Sequence, residues 1–227
     1  MFKTRLIVKL VFTLSSVALL ASFSATANTV TFAGYPFQSL YGTENLVIDS
    51  SGNLLVPTTA SDFGGASTAL PTGTTLLSTT FLDSGVVVGP AAELWAQDFA
   101  AVHPYETAIG AFSGYADYYF LYRIDGVGSE TFLTTNVART AGSHTAAIEL
   151  LSNGTVDFLL DNALVGSVNS SAFGIPVLGN VVLTANGSAA GQQATFTSFA
   201  VVTPEPPYGP CLIGAFAALL IVRTRSR

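Results

Sequence analysis

HTAAIELLSNGTVDFLLDNALVGSV, His144 to Val168, is the stretch that decides the fold. It divides at Asn153-Gly154 and again at Asp161-Asn162 into three short apolar runs. Asn-Gly favours a tight hairpin because both residues tolerate positive φ. In the middle run Val156, Phe158 and Leu160 fall on one face, with Thr155, Asp157 and Leu159 on the other. Period-two alternation of this kind predicts a β-meander with one buried face.

The same punctuation recurs through residues 28–203. Strands are predicted at 29–33, 45–49, 53–57, 84–89, 107–112, 117–124, 130–135, 180–185 and 194–202, bounded by Gly, Asn, Asp and Pro. Residues 91–102, AAELWAQDFAAV, fit either a short helix after Pro90 or a strand on which Leu94, Ala96 and Asp98 alternate, and we read a strand. No long helical periodicity appears. So many short strands predict an all-β fold, a two-sheet antiparallel sandwich. The elements Gly154-Thr155-Val156-Asp157-Phe158, Asp161-Asn162, Val165-Gly166 and a last strand over Thr195 to Val202 resemble the concanavalin A-like, or laminin G-like, jelly roll.

Outside that body the ends read as addresses. Residues 1–27 carry Lys3, Arg5 and Lys9, an apolar run from Leu10 to about Phe23, and Ala25-Thr26-Ala27. These are the n-region, h-region and small-x-small site of a signal peptide, with cleavage expected after Ala27. Residues 204–227 hold Pro204-Glu205-Pro206, an apolar run over 208–222, and Arg223, Arg225 and Arg227. Fifteen helical residues reach about 22 Å, a short transmembrane helix, and the arginines would stop it on the cytoplasmic side. Prolines at 204, 206 and 207 would keep the spacer 204–207 extended and open to a protease.

Triplet, apolar helix and terminal arginines together resemble a PEP-CTERM sorting signal. The resemblance implies an exosortase as partner, transient residence in the inner membrane, and delivery to the cell surface or an exopolysaccharide matrix. Pro210 within the apolar run and Cys211 are departures from the pattern, and Cys211, the only cysteine, leaves no internal disulfide possible.

Charge excludes some partners. Of fourteen acidic residues all but Glu205 lie between Asn28 and Thr203, where Arg123 and Arg139 are the only basic ones. Such a body repels nucleic acid and anionic lipid.

Catalytic constellations are sparse. Glucanases of the resembled fold carry carboxylates at alternate strand positions, roughly Glu-x-Asp-x-x-Glu, and that string does not occur. Asp157 and Asp161 lie four apart, but Asp161 reads as a turn residue. His103 and His144 are the only histidines, which excludes a three-histidine zinc site. Calcium is the one cofactor with candidate ligands, at Asp49, Asp83, Asp117 and Asp125. Within Tyr115 to Tyr122, alternation puts Tyr118, Phe120 and Tyr122 on one face and Tyr119 and Leu121 on the other, so one face is expected in the core and the other is offered to sugar rings. The expectation is a non-enzyme, an exported surface or matrix protein with a binding or structural role, carbohydrate binding being its specific form. The alternative is a secreted glycan-active hydrolase whose site matches no pattern above.

Overall fold

In the computed structural model of the chain, the described residues are 28–40, 45–59, 63–98, 105–124, 131–169, 178–187 and 189–204. They form fifteen strands. The first seven are β1 (Thr29–Phe32), β2 (Tyr35–Leu40), β3 (Val47–Ile48), β4 (Leu54–Pro57), β5 (Phe63–Ala69), β6 (Leu76–Ser84) and β7 (Ala91–Asp98). Then come β8 (Tyr105–Gly110), β9 (Asp117–Ile124), β10 (Thr131–Ala138), β11 (Ala141–Leu150), β12 (Thr155–Leu160), β13 (Ala163–Asn169), β14 (Asn180–Asn186) and β15 (Gln193–Val202).

Two antiparallel sheets stack face to face. One has eight strands in the order β1-β2-β5-β14-β7-β8-β9-β10, the other seven in the order β13-β12-β11-β6-β15-β4-β3. The expected two-sheet sandwich is therefore present, and its strand order fits a jelly roll. The signal segment 1–27 with Ala25 and Ala27, and Glu205, Pro206, Cys211, Arg223, Arg225 and Arg227, lie outside the described residues, whereas Pro204 is described and exposed. Among the described residues no helix is long and apolar enough to cross a membrane.

The meander that opened the sequence forms as expected, with Val156, Phe158 and Leu160 buried. Its turns divide the work differently. Asp161 and Asn162 both have positive φ, 50° and 66°, and make the two-residue hairpin of β12 and β13. At the other turn only Gly154 is left-handed (φ 81°), with Gly154 N–H bonded to Leu151 O at 3.0 Å and Leu151 N–H to Thr155 O at 2.8 Å. This is a three-residue loop, a type I turn closed by glycine.

Residues 84–89 do not form the expected strand. The strand lies upstream in β6, where Leu77, Thr79, Phe81 and Asp83 point inward. Gly85 turns the chain out (φ 70°), and Val86, Val87 and Val88 are exposed. β-Branched residues favour strands only where a neighbour pairs with them.

The core lies between the sheets, with Phe37, Leu54, Phe81, Leu94, Ile109, Tyr118, Ile148, Phe158 and Phe196 fully buried. Phe120 stacks on Phe158 across the gap at 4.7 Å. Gly166 makes room, because any β-carbon there would drive into the Phe120 ring. Among the described residues Arg139 and Asp83 form a buried ion pair. Arg139 Nε and Nη2 donate to Asp83 Oδ2 and Oδ1 at 3.0 and 2.7 Å. Burial pushes the Asp83 carboxyl up, but the guanidinium, the Gly85 N–H and the Tyr118 hydroxyl outweigh it and hold the group below its ordinary value.

Candidate functional site

Strand β7 is the ambiguous AAELWAQD segment, and its alternation places the site. Ala92, Leu94 and Ala96 enter the core, so Glu93, Trp95 and Gln97 face away from it. The ladders extend each of these three into a rung running across neighbouring strands.

The central rung is apolar: Val182 on β14, Trp95, Ala108 on β8, Leu121 on β9 and Phe132 on β10 are successive partners. Trp95, Ala108, Tyr119, Leu121 and Val182 form a second hydrophobic cluster outside the main core, against which Leu40, Phe63 and Phe112 pack. Trp95 retains 8% exposure at its centre.

One side of it is an acid rung, Thr184, Glu93, Gly110 and Tyr119. Gly110 is required there, with φ 156° and no room for a β-carbon, which would collide with the Ala92 and Glu93 backbone. Glu93 is 0% exposed. Its Oε2 accepts from Trp95 Nε1 at 2.5 Å and Thr184 Oγ1 at 3.0 Å. Oε1 is buried with no hydrogen bond in good geometry among the described residues. Burial pushes the carboxyl up to about 7, against the hydrogen bonds from Trp95, Thr184 and Tyr119 that pull it down. Glu93 is thus a neutral acid over much of the range in which exposed carboxyls are ionised.

On the other side runs a polar rung, Asn180, Gln97, Glu106 and Arg123. Arg123 Nη1, half exposed, lies 3.7 Å from Oε2 of the largely buried Glu106. Phe63, Trp95, Gln97, Glu106, Phe112, Arg123 and Phe132 together line an open cleft of about 290 Å³. Its content is aromatic faces, one amide and one ion pair, and Glu93 is not among its lining residues.

The residues singled out from the sequence fare unevenly. Tyr118 and Phe120 are on the core face, which alternation left open, but Tyr119 and Leu121 are buried as well, so the run between Tyr115 and Tyr122 offers less open ring surface than expected. The exposed aromatic there is Tyr115. Asp161 serves its turn, accepting from Thr145 N at 2.7 Å and holding His144 Nδ1 at 2.8 Å, while His144 Nε2 meets Thr140 O at 3.0 Å. Asp157 bonds Ser167 instead of Asp161.

The calcium candidates are not brought together. Asp49 closes the β3–β4 turn through Ser51 and Asn53, Asp83 is held by Arg139, and Asp117 takes a hydrogen bond from Thr134. Asp125 and His103 lie outside the described residues. Among the described residues no three His, Cys, Asp or Glu side chains group as metal ligands. Glu93, Trp95 and Gln97 were missed as a site, although a Glu and a Gln flanking the chain's only Trp at alternate positions of an otherwise apolar strand was a usable signal.

No family model matches the chain, and no curated protein matches it. Solved structures do. A β-glucanase of Bacillus licheniformis superposes with a TM-score of 0.55 at 16% identity, over 80% of this chain and 100% of the other. A structure described with endo-acting O-glycanases of human gut bacteria that initiate mucin breakdown gives 0.56 at 15%, over 80% and 96%. An immunostimulatory antigen and pseudo β-1,3-glucanase of Mycobacterium tuberculosis gives 0.54 at 17%, over 78% and 87%. The likeness is one of fold. It corrects the expectation of a non-enzyme, because that expectation rested on absent sequence strings and the fold is one on which glycoside hydrolases are built.

Proposed function

We propose that this chain is a glycan-active protein that takes a neutral polysaccharide across the outward face of the eight-stranded sheet. The observation that carries this is the cleft itself, which sets Trp95, Phe63, Phe112 and Phe132 beside the hydrogen-bonding groups of Gln97, Glu106 and Arg123. A pyranose ring presents an apolar C–H face to an indole while its hydroxyls reach Gln97, Glu106 and Arg123. Hydrolysis is the activity that the names of the fold neighbours favour, and Glu93 carries the raised carboxyl that such chemistry uses, although it is fully buried and does not line the cleft. A carboxyl still protonated near neutrality can donate to a glycosidic oxygen. Glu106 sits opposite Gln97, and Gln97 is four residues along β7 from Glu93, about 14 Å at ~3.4 Å per residue. Glycosidase carboxyl pairs are spaced at about 5 to 9.5 Å, so glycan binding is the part that the geometry carries furthest.

The purified chain, incubated with β-1,3-glucan, mixed-linkage β-glucan and mucin O-glycans, tests both parts. Saturable binding that Trp95→Ala weakens at least tenfold supports the cleft, and reducing-end release that Glu93→Gln abolishes supports hydrolysis. Binding without release removes the hydrolase. Neither binding nor release on any of the three overturns the proposal.

The setting we propose is export, with sorting by an exosortase from the inner membrane to the cell surface or an exopolysaccharide matrix. Four sequence features in order support it: signal peptide, Pro204-Glu205-Pro206, apolar run and terminal arginines. Deleting residues 212–227 should release the protein into the medium unprocessed. Retention and processing unchanged by that deletion would sink the sorting assignment.

A further inference from the structure

We infer that Tyr115 and Phe132 form a second sugar-stacking platform at the β10 end of the cleft, an outlying subsite for the same neutral glycan chain. This rests on the glycan reading of the cleft and extends it. The two rings are nearly parallel, 12° apart with centroids at 6.5 Å, and are 47% and 40% exposed. What sets them apart from scattered exposed apolar residues is that they adjoin each other and the cleft, a contiguous apolar surface.

Beneath them Phe112 stands edge-on to both, at 5.4 Å from Tyr115 and 5.9 Å from Phe132, and Tyr119 packs against Phe132 at 5.5 Å. The loop is fixed as well. Arg139 Nη1 donates to Phe112 O at 3.1 Å, Arg139 N–H to Ala116 O at 2.9 Å, and Tyr115 N–H to Phe112 O at 3.2 Å. Rings held this way lose little freedom when a ligand covers them.

Continuity with the cleft identifies the occupant. Phe112 and Phe132 already line it, and Phe132 stands on the Trp95 rung, three strands away. At ~4.8 Å per strand that separation is about 14 Å, so a ligand must be several sugars long to touch both. No charged side chain belongs to the platform, and the acidic body disfavours anionic chains.

The experiment titrates neutral β-glucan oligosaccharides of two and of six or more units into the wild-type chain and into Tyr115→Ala, Phe132→Ala and the double variant. Leu133→Ala, the exposed neighbour on the other face of β10, is the control, and melting curves establish that each variant is folded. The platform predicts that the long oligosaccharide binds the double variant five- to fiftyfold more weakly, with the disaccharide and the control unchanged. An equal effect on both lengths, or none on either, overturns it. Wild-type chain that binds neither length refutes the glycan reading itself, a separate outcome.

Discussion

Glu93 is an ionisable residue with no contact with water. Its folded carboxyl titrates at about 7 and its ordinary value is 4.5, so between those pH values the folded chain holds a proton that the unfolded chain gives up. Stability from this group is therefore full below about pH 4.5, falls as pH rises, and levels off above about 7. The loss is on the order of 3 kcal/mol, at 1.36 kcal/mol per unit of pKa. Glu93→Gln keeps an acceptor for Trp95 and Thr184 and stays neutral. Its melting temperature should stay level between pH 5 and 8 after the background of the other carboxyls is subtracted, while the wild type declines. Parallel curves for the two proteins would mean that Glu93 is not a buried neutral acid.

Among the elements, β7 shows what alternation alone leaves open. Leu94, Ala96 and Asp98 suggested a strand, and the same spacing put Glu93, Trp95 and Gln97 on the opposite face. What gives those three a site is their register with Thr184, Gly110, Ala108 and Glu106, which comes from strands distant in sequence. The meander was legible because its turns are local. Strand β5, FGGASTA, was not, since Gly, Ala and Ser have weak strand preference and β5 is stabilised by pairing with β2 and β14. Gly166 on β13 belongs to this scale, because its role is set by a ring from the facing sheet. Gly166→Ala should cost about 1–3 kcal/mol by forcing Phe120 off Phe158, as overpacking does. Urea unfolding would measure it, and an unchanged midpoint would show that the sheets close without that stack.

The whole molecule is an acidic sandwich that buries one cluster between its sheets and a second, smaller one on an outer face. The first supplies the fold. The second, with Trp95 at its centre, places aromatic and hydrogen-bonding groups where a polymer lying across the strands would touch several in turn. Sequence alone reached the sandwich and the candidate sorting tail, whose strings are contiguous, and stopped short of the cleft, which is assembled from β7, β8, β9, β10 and β14. Trp95 is the only tryptophan in the chain, so its fluorescence reports the cleft without a label. Titrating neutral β-glucan oligosaccharides should produce a saturable change in that emission, absent in Gln97→Ala/Glu106→Ala at the same concentrations. Emission that stays flat up to millimolar β-glucan and mucin O-glycans would contradict a glycan-binding role for this face.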